Sequence, residues 1–247
     1  MKKSFLDIRD FLQGLDALFA KEDFTAAGDY LRQGRDLAEK AKDRGALLTI
    51  LSEMMGYYRR TGERERGLEA VETGFRLLEE TGLSRTISGG TVWLNGGTAL
   101  CAFGKPDEAE AAYRNADSCY ASLPDDHPLR AGLLNNISSL YLEQGRCEEA
   151  VDVLNRALVI SQRNGIRAET AVIYVNLAQA YAQKDPTDAR IFDAMDRAWD
   201  VLESAEIPRD AAYAETARKC AGAFGYFGYF VAEKELHERA DALYERA

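Results

Sequence analysis

The sequence is poor in the residues that most catalysis and metal binding need. Only two of its 247 residues are histidine. His127, in DDHP, and His237, in KELHERA, stand 110 residues apart, outside any HExxH or paired-cysteine spacing. That argues against a shared metal or a histidine proton relay. The four cysteines (Cys101, Cys119, Cys147, Cys220) form no CxxC pair. Each sits in an apolar or helical pattern, so reduced, buried thiols in a cytoplasmic protein are expected. No apolar run approaches the roughly 18 residues of a membrane span. No stretch alternates with the period of a strand. Cations are scarce: 31 Lys and Arg face 41 Asp and Glu, a net charge of −10. Such a chain repels phosphate, which argues against nucleic acid and anionic membranes as partners. The opening MKKSFLDIRDFLQGLDALF is interrupted by Asp7, Arg9, Asp10 and Asp16. It reads as an amphipathic helix, not a secretory signal. With 46% hydrophobic and 29% charged residues, the composition is globular and neither disordered nor collagen-like.

What is present is a repeat. Small residues recur at Gly34, Gly74, Ala116, Ala157, Ala198 and Ala240, at intervals of 40, 42, 41, 41 and 42. A second small series, Ala27, Gly67, Ala109 and Ala150, lies seven residues earlier. Seven residues are two helical turns, so both series share one helix face, where a neighbouring helix can approach closely. A bulky series, Phe11, Leu51, Trp93, Leu134 and Tyr174, follows the same period. Each is followed seven residues later by Leu18, Tyr58, Leu100, Tyr141 or Tyr181. Each unit therefore pairs a first helix with bulky residues and a second with small ones. Gly62, Gly104 and Gly145 are placed to end first helices, and Gly45, Gly82 and Gly165 to end second helices. All five prolines fall at turns or first helical positions. Six hairpins are predicted, over about 4–44, 46–82, 86–124, 128–165, 168–206 and 210–247. Hairpins of this kind bury a core only by stacking, so one all-α domain spanning 1–247 is expected.

Other features point to packing before chemistry. Glu148, Glu149, Asp107 and Glu108 fall where carboxylates favour a helix N-terminus. The glycines of SGGTVWLNGG resemble a phosphate loop only superficially, since no GKS or GKT follows and no strand precedes. Gly97 occupies a small packing position; Gly96 replaces an expected apolar residue, for close helix packing or, alternatively, a hinge or close ligand approach. Phe224, Tyr226, Phe227, Tyr229 and Phe230 crowd the last inter-helix turn. They read as the core of the final hairpin, or as an exposed patch for a homodimer or a further domain.

Residues 127–161, HPLRAGLLNNISSLYLEQGRCEEAVDVLNRALVIS, carry Tyr141, Gly145, Ala150, Leu154 and Ala157 at the spacing of a tetratricopeptide repeat. AVIYVNLAQAY at 171–181 and TVWLNGGTAL at 91–100 fit as well. The chain resembles the tetratricopeptide repeat (TPR) proteins over nearly its whole length. The long period, the HP start and the LNN-x-x-x-x-Y stretch are similar to kinesin-light-chain-type repeats. The first and sixth units fit least, and Ile191 stands where a small residue is usual.

The resemblance implies a right-handed α-α superhelix, a solenoid whose first helices line a concave groove. Five residues before each closing residue stand Asn95, Asn136 and Asn176. A row of amides supplies donors and acceptors together, enough to hold an extended peptide backbone without reading its sequence. Proteins similar to kinesin light chain use such a row in this way. Arg59, Thr98, Asn135, Ser139, Leu142, Val175 and Gln179 are the expected neighbours, with Leu94, Leu142 and Val175 for apolar contact. Lys and Arg are missing from the places a carboxylate clamp would need; Arg9, Arg59, Arg60 and Arg218 remain as isolated anion contacts. The chain is read as a non-enzymatic cytoplasmic scaffold for a protein or peptide segment, with no cofactor. Alternatives are a peptide-responsive module that docks onto another regulator, and a self-assembling scaffold.

Overall fold

A computed structural model describes residues 6–244. Among the described residues there are twelve α-helices and no strand. The helices run in pairs: α1 (Ile8–Ala20) with α2 (Phe24–Ala41), α3 (Arg44–Thr61) with α4 (Arg64–Thr81), α5 (Ile87–Ala102) with α6 (Pro106–Tyr120). They continue as α7 (Pro128–Glu143) with α8 (Cys147–Arg163), α9 (Arg167–Lys184) with α10 (Arg190–Glu203), and α11 (Ala211–Tyr226) with α12 (Phe230–Tyr244). Six helix pairs are present among the described residues; the predicted hairpin ends at residues 4–5 and 245–247 lie outside them.

Polar side chains start many of these helices. Asp23 accepts from the Ala26 N–H, Asp43 from Ala46, Thr86 from Gly89 and Asp210 from Tyr213. Each satisfies a donor that the first helical turn leaves without an intrahelical partner. Gly62, Gly82, Gly104, Gly145 and Gly165 adopt the left-handed backbone of a helix C-terminus, with φ between +66° and +74°. Gly45 does not. Asp43 caps α3, so Gly45 lies inside that helix, and the left-handed residue that ends α2 is Lys42, at φ +56°.

The two sequence series meet in the core. Phe11, Leu51, Trp93, Leu134 and Tyr174 are 8% exposed or less, and Ala27, Ala109, Ala116, Ala150, Ala157, Ala198 and Ala240 are fully buried. A methyl group on Gly34 would overlap the Phe11 ring, and one on Gly67 the Phe103 ring. Gly96 has the same cause: the Phe75 ring fills the space its side chain would take. Cys101, Cys119 and Cys220 are buried free thiols, and Cys147 is half-buried at the start of α8. Burial pushes the Cys220 thiol up to about 12.

The helices gather into two compact units, Met1–Ser122 and Leu123–Ala247. Within each, first helices touch directly: α3 with α5 in the first, α7 with α9 and α9 with α11 in the second. Clefts open between second helices. That between α2 and α4 is lined by Arg32, Arg35, Glu39, Arg66 and Glu69. That between α4 and α6 is apolar, about 530 Å³, and includes Leu68, Val71, Phe75 and Trp93. That between α8 and α10 is mixed, with Gln162, Arg197 and Asp200 beside Tyr174 and Val201. The first helices thus form the inner face of each unit. No helix among the described residues is long and apolar enough to cross a membrane.

Candidate partner-binding face

The asparagine series falls on the inner faces, and most of it is joined to the preceding first helix. In the second unit, Asn176 on α9 donates through Nδ2 to Asn135 Oδ1 on α7, at 2.8 Å. In the first, Asn95 on α5 donates to Ser52 Oγ on α3, also at 2.8 Å. Both bonds follow from the period. Asn135 and Ser52 each stand one residue past a core bulky residue, Leu134 and Leu51, while Asn176 and Asn95 stand two past Tyr174 and Trp93. Asn136 instead donates to the Gly132 carbonyl of its own helix, at 2.8 Å. The three asparagines are half-buried. An amide has two N–H donors and an acceptor, so the single bond between Asn176 and Asn135, or between Asn95 and Ser52, does not use up the capacity of those amides.

The surrounding residues divide into rim and core. Ser139, Gln179 and Arg59 are exposed, and Leu94, Thr98, Asn135 and Leu142 are half-buried. Thr98 donates to the Leu94 carbonyl at 2.9 Å, and Gln183 to the Leu142 carbonyl at 2.9 Å. Val175 must be corrected. It is 4% exposed and belongs to the core of the second unit, because α9 is flanked by α7 on one side and α11 on the other. It offers nothing to a partner. Of the isolated cations, Arg60 stacks over Phe19 and Phe24, and Arg218 pairs with Asp241.

The aromatic cluster also divides. Phe224 is fully buried, edge-on to Trp199 and Tyr229, so it is core and not patch. Phe227 and Tyr229 are partly buried, and the Tyr229 hydroxyl donates to Asp196 at 2.7 Å. Only Tyr226 and Phe230 are exposed, at 82% and 69%, joined by Val231, which the sequence reading did not single out.

Two further inner-face residues went unnoticed in the sequence. Glu53 stands two residues past Leu51, the place that Asn95 takes after Trp93. Counting position instead of residue type would have found it. Burial, reinforced by nearby Asp16, pushes its carboxyl above the usual range. Glu169 lies two turns before Asn176 on α9, its carboxyl 3.6 Å from where a side chain on Gly132 would begin. Burial alone pushes it up to about 7, with no neighbouring charge contributing. Among the described residues no group of three or more His, Cys, Asp or Glu side chains is arranged to hold a metal ion.

Residues 90–163 match the family model of the tetratricopeptide repeat. The structure is similar to that of BtubC (BKLC) from P. vanneervenii, with a TM-score of 0.64, 23% identity and 76% of each chain covered. It is also similar to the nearly identical TPR-like repeats of a putative kinesin light chain from Podosopora anserina. There the TM-score is 0.56 and the identity 20%, over 79% of this chain and 94% of that one. No curated protein sequence matches the chain. At these identities the likeness establishes the fold alone, that of stacked tetratricopeptide-type hairpins.

Proposed function

We propose that this chain, with its tetratricopeptide-repeat fold, is a non-enzymatic binder of an extended protein segment, held on the inner faces of its first helices. One observation carries the reading. The Asn176–Asn135 bond fixes two amides side by side and uses only one donor and one acceptor of the pair, so an acceptor and donors are left over. That set complements the N–H and C=O of a main chain in extended conformation. Whichever way each amide is turned, a donor and an acceptor remain. Asn95, tied to Ser52, repeats the arrangement in the first unit. Leu94 and Leu142 supply apolar contact beside Ser139, Thr98, Gln179 and Arg59.

The test is affinity capture from source-cell lysate with wild type and with Asn95, Asn136 and Asn176 all changed to Ala. Circular dichroism first shows the two proteins equally helical. A partner captured by wild type and lost by the variant supports the reading. Equal capture by both makes the amides structural and moves the site elsewhere.

A further inference from the structure

Most carboxylates of the second unit that carry a perturbed charge are answered by a cation or a donor. Glu149 pairs with Arg146, Glu148 with Lys184 and Asp188 with Arg190. Glu169 is different. It is half-buried on the inner face, and among the described residues it has neither ion pair nor hydrogen bond. A partly desolvated carboxylate without a partner is unfavourable, and folding alone gives no reason to keep one there.

The backbone beside it is unusual as well. Gly132 lies inside α7, in its second turn, where glycine is less favourable than alanine. Unlike Gly34, Gly67 and Gly96, it has no ring pressed against it; among the described residues, Glu169 is the only side chain near the space a methyl would fill. The first unit repeats the combination. Glu53 on α3 is half-buried, faces another acid, Asp16, and likewise has no cationic partner among the described residues. One turn on, at Gly56, there is open space where a side chain would project. Each unit therefore places an unanswered carboxyl next to a helix surface stripped to backbone, on the same face as its amides.

We propose that the segment bound on each of these faces is basic, a guanidinium or ammonium group being received by Glu169 on the second unit and by Glu53 on the first, each unit taken by itself. The inference rests on the inner-face reading above. A main chain can lie close over Gly132 or Gly56, with its amide groups on the asparagines and a cationic side chain turned into the carboxyl. A charge-assisted pair there is stronger than a neutral hydrogen bond, and two-point contact favours arginine. The net charge of −10 draws the same class of ligand.

The experiment uses the full chain and three labelled peptides of alternating threonine with arginine, glutamine or glutamate, followed by fluorescence anisotropy. The arginine peptide binds best, and Glu169→Gln or Glu53→Gln weakens it by about tenfold, the worth of one charge-assisted bond. Asp152→Asn, which removes an exposed charge from α8, changes affinity less than about twofold, as expected of a surface charge. An equal loss in Glu169→Gln and Asp152→Asn overturns the proposal, because attraction to net charge alone then explains the binding. So does glutamate-peptide binding as tight as arginine, or arginine-peptide binding weaker than about 1 mM. Asn135→Ala with Asn176→Ala separates the two readings. If that pair abolishes binding of all three peptides while Glu169→Gln is silent, the amide face stands and the basic ligand falls. If Glu169→Gln weakens binding and the amide pair does not, the basic site stands and the amide reading falls.

Discussion

Glu169 links stability to pH in a direction opposite to most carboxylates. Its folded-state pKa is raised to about 7 from an ordinary 4.5. The folded protein therefore holds this proton more tightly than the unfolded chain does. The protonated carboxyl contributes fully below the unfolded value, and its contribution is lost as pH rises towards 7. Glu169→Gln keeps the shape and removes the charge, so the variant is more stable than wild type above pH 7 by about 1 kcal/mol, discounted for partial solvent exposure. Below the ordinary carboxylate range the difference disappears. Thermal melts of both proteins across this window check it; a variant less stable than wild type at high pH would show that the carboxylate is paired. The amides were visible in the sequence because three identical residues recur at 41 and 40. Glu53 was not, because it breaks the run of residue type while keeping the position. Glu169 was hidden for a physical reason: its burial arises only when α9 stacks on α7, which no local pattern records. Val175 failed in the opposite sense, since its position looks outward until α11 covers the far side of α9.

At the scale of a helix, identical substitutions take opposite signs. Gly67→Ala in α4 drives a methyl into the buried Phe103 ring, and overpacking of this kind costs about 1–3 kcal/mol. Gly56→Ala in α3 meets open space and recovers helix propensity, a gain of about 1 kcal/mol. Chemical denaturation reads both; a matching sign would mean that packing does not decide the role of these glycines. Lys42 gives a third case. It ends α2 at a positive φ that glycine occupies in later hairpins. Lys42→Gly removes the Cβ penalty and stabilises by about 0.5–1 kcal/mol, while Gly45→Ala, inside α3, leaves the α2 terminus untouched. Helix existence was legible because bulky and small series keep one period through the chain. The α2 end was not, because a lysine carries no terminating signal and Gly45, three residues on, carries a misleading one. The last hairpin shows the same limit: composition flagged five aromatics, but only stacking on Trp199 distinguishes buried Phe224 from exposed Tyr226.

At the scale of the whole molecule, the net charge and the inner-face carboxyls act on different steps of binding. A field from −10 charges reaches outward by the screening length, about 30 Å at 0.01 M salt and about 8 Å at 0.15 M. It raises the encounter rate of a basic peptide without holding it in place. Glu169 and Glu53, half-buried and at the contact, act after encounter and set how long the peptide stays. Stopped-flow association with the arginine peptide should therefore slow steeply as salt rises over this range, in wild type and in Glu169→Gln alike. Dissociation should be faster in Glu169→Gln at every salt concentration, and only weakly salt-dependent. If the variant changes association and leaves dissociation as it was, Glu169 is merely part of the long-range field. The helix surface at Gly132 then has no role in holding the ligand. A division of labour between net charge and local carboxyl requires the two rates to separate, because a charge spread over the surface cannot lengthen residence at one point.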